Sequence, residues 1–170
     1  MDARDNEGST PLHLAAAFCD SLGSVEEEYD MIFLLLKHGA NVNLRDSEGS
    51  IALHTGAAFG EMRIVRKLIF VGSDANALDV RGDTPLTVSA GSGHLDVVRL
   101  LVDSGADLFA VNKQGLTAAM CAKKFGHKEV EQYLDQRPDL VYNRFEFIVV
   151  YRRRLVEIAK VFVEGENEPK

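Results

Sequence analysis

Apolar residues recur along this chain with helical spacing, separated by small and turn-forming residues. Short segments rich in Ala and Leu are each followed by a segment whose bulky apolar residues fall at i, i+1, i+4 and i+5. The clearest sets are Met31, Ile32, Leu35 and Leu36; Ile64, Val65, Leu68 and Ile69; and Val97, Val98, Leu101 and Val102. This spacing places the bulky residues on one face of a helix. The pattern predicts helix pairs, a short helix with small side chains followed by one with an apolar face.

Glycine, threonine and proline mark the borders of these helices. Glycine is favoured in the left-handed C-cap after a helix and in turns that need a positive φ. The glycines after the apolar helices are Gly39, Gly72 and Gly105, and those in the turns are Gly8, Gly49, Gly82 and Gly115. We expect Thr10 to cap the first helix and Pro11 to occupy its first position. Connecting segments rich in Asn, Asp and Gly predict projecting hairpin turns.

The chain returns four times to one starting motif. Thr10-Pro11-Leu12-His13-Leu14-Ala15 opens the first copy, Ile51-Ala52-Leu53-His54 the second, Thr84-Pro85-Leu86 the third and Thr117-Ala118-Ala119 the fourth. The copies begin at 10, 51, 84 and 117, so the spacings are 41, 33 and 33 residues. This period and the T-P-L-H-x-A motif resemble the ankyrin repeat, over about residues 2 to 136. The resemblance implies an all-α solenoid of helix pairs with projecting hairpin turns.

The expected organisation is an ankyrin-like array over residues 1–138, followed by a helical extension and polar tail over 139–170. The repeats are expected at about 2–43, 44–76, 77–109 and 110–138. Repeat one is eight residues longer than the period, with the excess within residues 18–30. The acidic run of residues 26–28 in this insertion indicates either an acidic first helical turn after a solvated loop or an acidic contact loop. Pro138 replaces the expected closing glycine, which indicates that repeat four closes the array.

The extension does not fit the repeat. Its apolar residues Ile148, Tyr151, Leu155, Ile158 and Phe162 form one helical stripe. They predict a helix of about 20 residues over 143–163, although β-branched residues keep a strand as the alternative for 145–151. This helix either caps repeat four or binds a partner or a second copy of the chain. Binding to a second copy would give a homodimer through residues 143–163.

Charge and composition narrow the classes of partner. The net charge is −7: residues 1–138 carry 13 basic and 20 acidic side chains, and residues 139–170 carry six of each. Nucleic-acid binders present a basic face, so nucleic acid is not the expected partner. No apolar run approaches the ~18–20 residues that span a bilayer, so membrane insertion is not expected. Cys19 and Cys121 are isolated and no secretory leader is evident, which predicts a cytoplasmic protein, with the nucleus as the alternative.

The histidines are explained by repeat position rather than by chemistry. Resemblance to the family implies structural hydrogen bonding for His13 and His54, in the fourth position of the motif. His94 and His127 follow a glycine at the start of a second helix, and His38 lies in the last turn of a helix. No ligands converge at the short spacing of a metal site, and no phosphate-binding G-x-x-x-x-G-K-[ST] loop is present. We therefore expect no metal, no cofactor and no enzymatic activity.

The resemblance implies a protein-protein interaction module, an adaptor or scaffold, that binds a partner protein in a concave groove formed by the hairpin tips and the exposed side of the first helices. The positions that vary within the family imply these contact residues: Phe18, Ser47, Glu48, Phe59, Val80, Arg81, Asp83, Ser92, Lys113, Gln114, Lys124 and Phe125. Phe18, Phe59 and Phe125 share one repeat position, where an aromatic side chain serves either as a binding hot spot or as packing for the interhelical turn.

The charge along these tips changes sign, from Glu7 and Glu48 in the early repeats to Arg81, Lys113 and Lys124 in the later ones. Such a gradient would orient a bound segment. Two alternative functions remain open at this point. The abrupt start at Asp2 suggests a regulatory or targeting domain excised from a larger enzyme or channel, and the predicted helix over 143–163 suggests self-association.

Overall fold

The computed structural model of the chain describes residues 2–17 and 25–136, with residues 25–30 described by their backbone alone. This part contains eight helices and no strand, which confirms the all-α fold. In chain order they are α1 (Pro11–Ala17), α2 (Val25–Lys37), α3 (Ala52–Phe59), α4 (Met62–Phe70), α5 (Pro85–Ser92), α6 (Leu95–Asp103), α7 (Ala118–Phe125) and α8 (Lys128–Asp135). The chain forms two units, residues 1–134 and 135–170.

Several sequence-based predictions lie outside the described residues. They are the contact role of Phe18, the loop part of the insertion (residues 18–24), and the helix over 143–163 with its homodimer. The acidic run of residues 26–28 lies among the described residues. Helix α2 begins at Val25, and the run follows in its first turn. This position agrees with the interpretation of an acidic first helical turn.

The first helix of each repeat begins where the motif predicts, but the capping interactions differ. The hydroxyl oxygen of Thr84 accepts a hydrogen bond from the N–H of Thr87 at 3.1 Å, and Thr117 caps α7 in the same way. In repeat one, the hydroxyl of Thr10 lies 2.8 Å from Nδ1 of His13 instead. The predicted N-cap position is therefore correct, although a histidine ring takes part in the cap of repeat one.

The second helices bury the apolar face that their spacing predicts. Ile64, Val65 and Leu68 of α4 are at most 1% exposed, and the equivalent residues of α6 are fully buried. Small residues of the first helices, Ala16, Ala57 and Ala90, are also fully buried, which allows adjacent repeats to approach closely. Met31 departs from the prediction: its side chain is 46% exposed, because no repeat among the described residues packs on that side of α2.

In repeat four, the last helical layer among the described residues, two buried apolar positions of the array are occupied by an ion pair. Lys123 occupies the position of Ala90, and Glu131 occupies that of Val98, although both earlier residues are fully buried. Nζ of Lys123 lies 3.2 Å from Oε1 of Glu131. A further repeat in the same register would bury both charges, which is costly. These two positions are therefore suited to a polar environment, in line with the prediction of a closing repeat.

The left-handed glycines predicted from the sequence are confirmed. All seven have a φ between 72° and 91°: Gly8, Gly39, Gly49, Gly72, Gly82, Gly105 and Gly115. A residue with a Cβ is strained in this conformation. These glycines therefore fix where each helix ends and where each hairpin turns, and so they set the positions of the hairpin tips.

Candidate partner-binding surface

One polar side chain stabilises each hairpin turn by accepting hydrogen bonds from its backbone. In the third turn, Oδ1 of Asp79 accepts hydrogen bonds from the backbone N–H groups of Arg81 and Asp83, both at 2.8 Å. The equivalent residues of the other turns, Asp5, Asp46 and Asn112, each accept two N–H groups at 2.9–3.0 Å. Each turn therefore satisfies these backbone donors with a side chain of its own.

Backbone hydrogen bonds join the four turns into a row. The N–H of Ser47 donates to the carbonyl of Glu7 at 3.0 Å, and the N–H of Val80 donates to the carbonyl of Glu48 at 2.8 Å. The N–H of Lys113 completes the row by donating to the carbonyl of the third turn, at Arg81, at 2.9 Å. Equivalent tip residues therefore lie side by side along the array.

Two histidines connect the base of one turn to the next repeat. Nδ1 of His54 accepts the backbone N–H of Ile51 at 3.2 Å, so its Nε2 carries the proton and donates to the carbonyl of Asp83 at 3.1 Å. His13 repeats this arrangement with Thr10 and with Ser50 of the second repeat. Burial lowers the pKa of His54 from its usual 6.5, because the ring is removed from water. The structural role implied for the motif histidines is confirmed.

Two further histidines connect the second helices to the preceding repeat. Nε2 of His94 donates to the carbonyl of Ala58, and Nε2 of His127 donates to the carbonyl of Gly91, both at 2.9 Å. Both acceptors lie at the ends of first helices, next to predicted contact positions. These bonds therefore fix the orientation of the helix ends that would face a partner. Among the described residues, no three His, Cys, Asp or Glu side chains are grouped as metal ligands would be.

The structure brings the described contact candidates onto one surface, which we call the groove surface: the hairpin tips and the exposed C-terminal ends of the first helices. Most of its side chains are exposed: Ser47, Glu48, Phe59, Val80, Arg81, Ser92, Lys113, Gln114, Lys124 and Phe125. Asp83 is half-buried and already bonded, because its Oδ1 accepts a hydrogen bond from Nδ2 of Asn112 at 2.8 Å.

Two aromatic rings stand out on the groove surface. Phe59 is 57% exposed and Phe125 is 60% exposed. The Phe125 ring lies close to Gly91 of the preceding repeat, since two of its carbons would be 3.6 Å from a Cβ added there. Nζ of Lys124 lies 5.7 Å from the centroid of the same ring. The ring is thus held in place while more than half of it remains available, so packing and binding are compatible roles at this position.

The cations of the groove surface differ in how far they are neutralised. Nη2 of Arg81 lies 3.1 Å from Oδ2 of Asp79, and its Nε lies 3.5 Å from Oδ2 of Asp83. Lys124 instead donates to the neutral Oε1 of Gln114 at 2.9 Å. Within the described part of the chain, neither Lys124 nor Lys113 forms an ion pair with a carboxylate. The positive end of the charge gradient therefore depends on the two lysines more than on Arg81.

Comparison with known proteins agrees with the repeat geometry. Residues 53–143 match the family model described as "Ankyrin repeats (3 copies)", and residues 7–47 match the one described as "Ankyrin repeat". The chain belongs to the ankyrin-repeat family. Its matches account for about four ankyrin repeats across residues 7–143. No curated protein matches the chain significantly.

The ankyrin array also exposes apolar side chains that were not predicted from the sequence as contact residues. Phe109, Val111 and Met120 of repeat four are 47%, 57% and 51% exposed. On the second helices, Phe70 is 83% exposed, and Nζ of Lys67 lies 5.9 Å from its ring. The substitution of Phe109 for Asn43 and Asn76 of the earlier repeats is the signal in the sequence that points to the first group. No described helix is long and apolar enough to cross a membrane.

Proposed function

We propose that this ankyrin array is a non-catalytic adaptor or scaffold module that binds a partner protein along its groove surface. Ankyrin repeats are generally protein-protein interaction modules, and their proteins are typically not catalysts. One observation carries the proposal for this chain: the hydrogen-bonded row of turns presents exposed side chains at equivalent positions from successive repeats. A surface held by its own backbone in this way loses little conformational entropy on binding.

The side chains on that surface suit protein recognition. Phe59 and Phe125 offer large, exposed apolar side chains, and aromatic residues are the commonest binding hot spots. The same surface also carries charged and polar groups, those of Arg81, Lys113 and Gln114. Such groups would select a partner and set the direction in which its chain binds. Cytoplasm or nucleus is the proposed location, since Cys121 is a buried thiol without a disulfide.

Affinity capture from a native lysate with paired variants of the full chain tests this proposal. Phe59→Ala/Arg81→Glu alters the groove surface. Phe70→Ala/Arg63→Glu is the matched control, because it changes one aromatic and one arginine, both exposed, on α4. Circular dichroism checks that both variants fold. We expect partners of the unaltered chain to be lost from the first bait and kept by the second; equal capture by both variants would contradict the proposal.

A further inference from the structure

In repeat four, an apolar side chain stands where an asparagine links each of the two preceding hairpins to the next repeat. Oδ1 of Asn43 accepts the N–H of Asp74 in the next repeat at 2.9 Å, and Oδ1 of Asn76 accepts the N–H of Asp107 at 2.8 Å. The equivalent residue of repeat four is Phe109, which is 47% exposed. A phenyl ring cannot accept this bond, so the series of asparagines ends there.

At two other linking positions, Arg45 and His54 are already replaced by Leu78 and Thr87 in repeat three, and both positions are apolar in repeat four. His54 donates to the next repeat at Asp83, and the residue two periods later is Met120. Arg45 donates to the carbonyl of Leu78, and the residue two periods after Arg45 is Val111. Met120 and Val111 are each more than half exposed. We call Phe109, Val111 and Met120 the end patch.

The end patch adjoins the positive end of the groove surface. Val111 precedes Lys113 by two residues in the same hairpin. Nδ2 of Asn112, the residue between them, lies 4.0 Å from Sγ of Cys121 in α7. Further along α7, Lys124 reaches Gln114 in the hairpin. Exposed apolar side chains and two cations without carboxylate partners in the described residues thus occur together at this end of the array. Exposed apolar patches with a charged rim are typical of docking sites.

We propose that the repeat-four end of the array binds a protein segment in which carboxylates flank large apolar side chains. The apolar side chains contact the end patch and Phe125, and the carboxylates pair with Lys113 and Lys124. This assignment rests on the proposed function, for which it names the chemistry of the partner. Charge also separates it from a basic occupant: residues 143–163 of the chain itself carry five basic and two acidic side chains, the wrong sign for the two lysines.

Random 12-residue peptides displayed on phage and selected on the intact chain provide the probe. We expect selected peptides to place Asp or Glu within two or three residues of large apolar side chains. A synthetic copy of one such peptide is then titrated by fluorescence anisotropy. Lys113→Glu/Lys124→Glu should weaken its binding by about tenfold or more, because like charges then face each other. Changing the peptide's carboxylates to lysine should restore binding to that variant. Selection of basic peptides would overturn the proposal.

Matched variants separate the end patch from general surface effects. Met120→Asp should weaken peptide binding, whereas Leu34→Asp on α2 should not, and both side chains are 51% exposed in the unaltered protein. Thermal melts show that each variant folds. If Phe59→Ala/Arg81→Glu abolishes binding while the lysine and Met120 variants do not change it, this inference fails and the proposed function stands. If none of these variants changes it, both fail.

One further variant tests the chain's own extension as the occupant. Leu155→Asp/Ile158→Asp in the full chain disrupts the apolar stripe predicted for residues 143–163. We expect it to leave the dissociation constant of the peptide unchanged. A tenfold gain in affinity would show that the extension competes for the same surface, and would overturn the assignment of the end patch to a separate acidic segment.

Discussion

The ring of His94 lies over Gly60, so that a Cβ built on Gly60 would be only 2.5 Å from Nδ1 of the histidine. Gly60 also has a φ of 79°, where side chains are strained. Glycine is therefore required here for two reasons, its backbone conformation and the neighbouring ring. The same ring donates a hydrogen bond to Ala58, so it cannot turn aside without losing a connection between repeats.

Gly60→Ala should destabilise the array by about 2–4 kcal/mol, from the left-handed backbone together with the clash. Gly72→Ala is the matched control, because Gly72 has a φ of 91° and nothing within 4 Å of an added Cβ. That variant should cost only about 1–2 kcal/mol. Urea unfolding monitored by circular dichroism measures both. Equal losses of unfolding free energy in the two variants would show that the His94 ring moves away from the added Cβ without an energetic cost.

The stability of the array should decrease in mild acid through His54. Its folded-state pKa is lowered mainly by burial; Arg45 lowers it further, while Asp79 and the hydrogen bond to Asp83 oppose the shift. The neutral ring therefore contributes full stability above the unfolded-state pKa of about 6.5. That contribution decreases as the pH falls from there through the folded-state pKa, because the unfolded chain binds the proton more tightly. Protonation of Nδ1 also removes the acceptor for the N–H of Ile51.

His54→Thr should flatten this pH dependence, since repeat three already uses a threonine, Thr87, at the equivalent position. Free energies of unfolding measured between about pH 5 and 7.5 provide the test, the window being centred on the reference pKa of His. His38→Ala serves as the control, because His38 is exposed, and this variant should retain the full dependence. A steep acid loss that persists in His54→Thr would assign the effect to other groups.

Leu68→Ala should weaken the whole array. Leu68 is fully buried in α4, and truncating a buried leucine costs about 2–5 kcal/mol. Because each repeat is stabilised by its neighbours, the loss should lower the unfolding transition of the array as a whole. Phe70→Ala, in the same helix but at an 83% exposed position, should change it little. A thermal melt of Leu68→Ala that matches the unaltered protein would contradict this picture.

Asp79→Ala should loosen the third hairpin, because it leaves the N–H groups of Arg81 and Asp83 without their acceptor. The expected loss is about 1–3 kcal/mol, with faster hydrogen exchange at those two amides. Asp79→Asn should retain most of the stability, since Asn112 folds the fourth turn with the same amide oxygen. NMR-detected exchange distinguishes the two variants; similar rates in both would assign a smaller role to Oδ1.

The sequence predicted the fold well because its signals are local and repeated. Positive φ values at Gly49 and Gly82, the cap at Thr84 and the apolar face of α4 each depend on residues close in the chain. Because each of these weak signals recurs in several repeats, together they predict the fold more strongly than one copy would. The prediction for Met31 was wrong because exposure depends on whether a neighbour packs against it, and repeat one lacks a described neighbour on that side.

The candidate surface was predicted less completely, since it depends on contacts between repeats. Nothing in the sequence around Arg81 shows that Asp79 and Asp83 both approach its guanidinium. The end patch was missed for a related reason: an exposed Phe109 is unremarkable until Asn76 is seen to bond to the next repeat. The aromatic position was found because Phe59 and Phe125 recur at the same place in the period.

Each hairpin turn places the residues that shape it and the residues that it exposes within five positions of the chain. Asp79 and Gly82 shape the third turn, whereas the side chains of Val80 and Arg81 project from it. Substitution of Val80 should therefore change the exposed surface of the turn and leave its hydrogen bonds intact, whereas substitution of Arg81 would also remove its ion pairs with Asp79 and Asp83. If the proposed groove surface binds a partner, exposed tip residues without such ion pairs would be the positions where its specificity changes one repeat at a time, at little cost in stability.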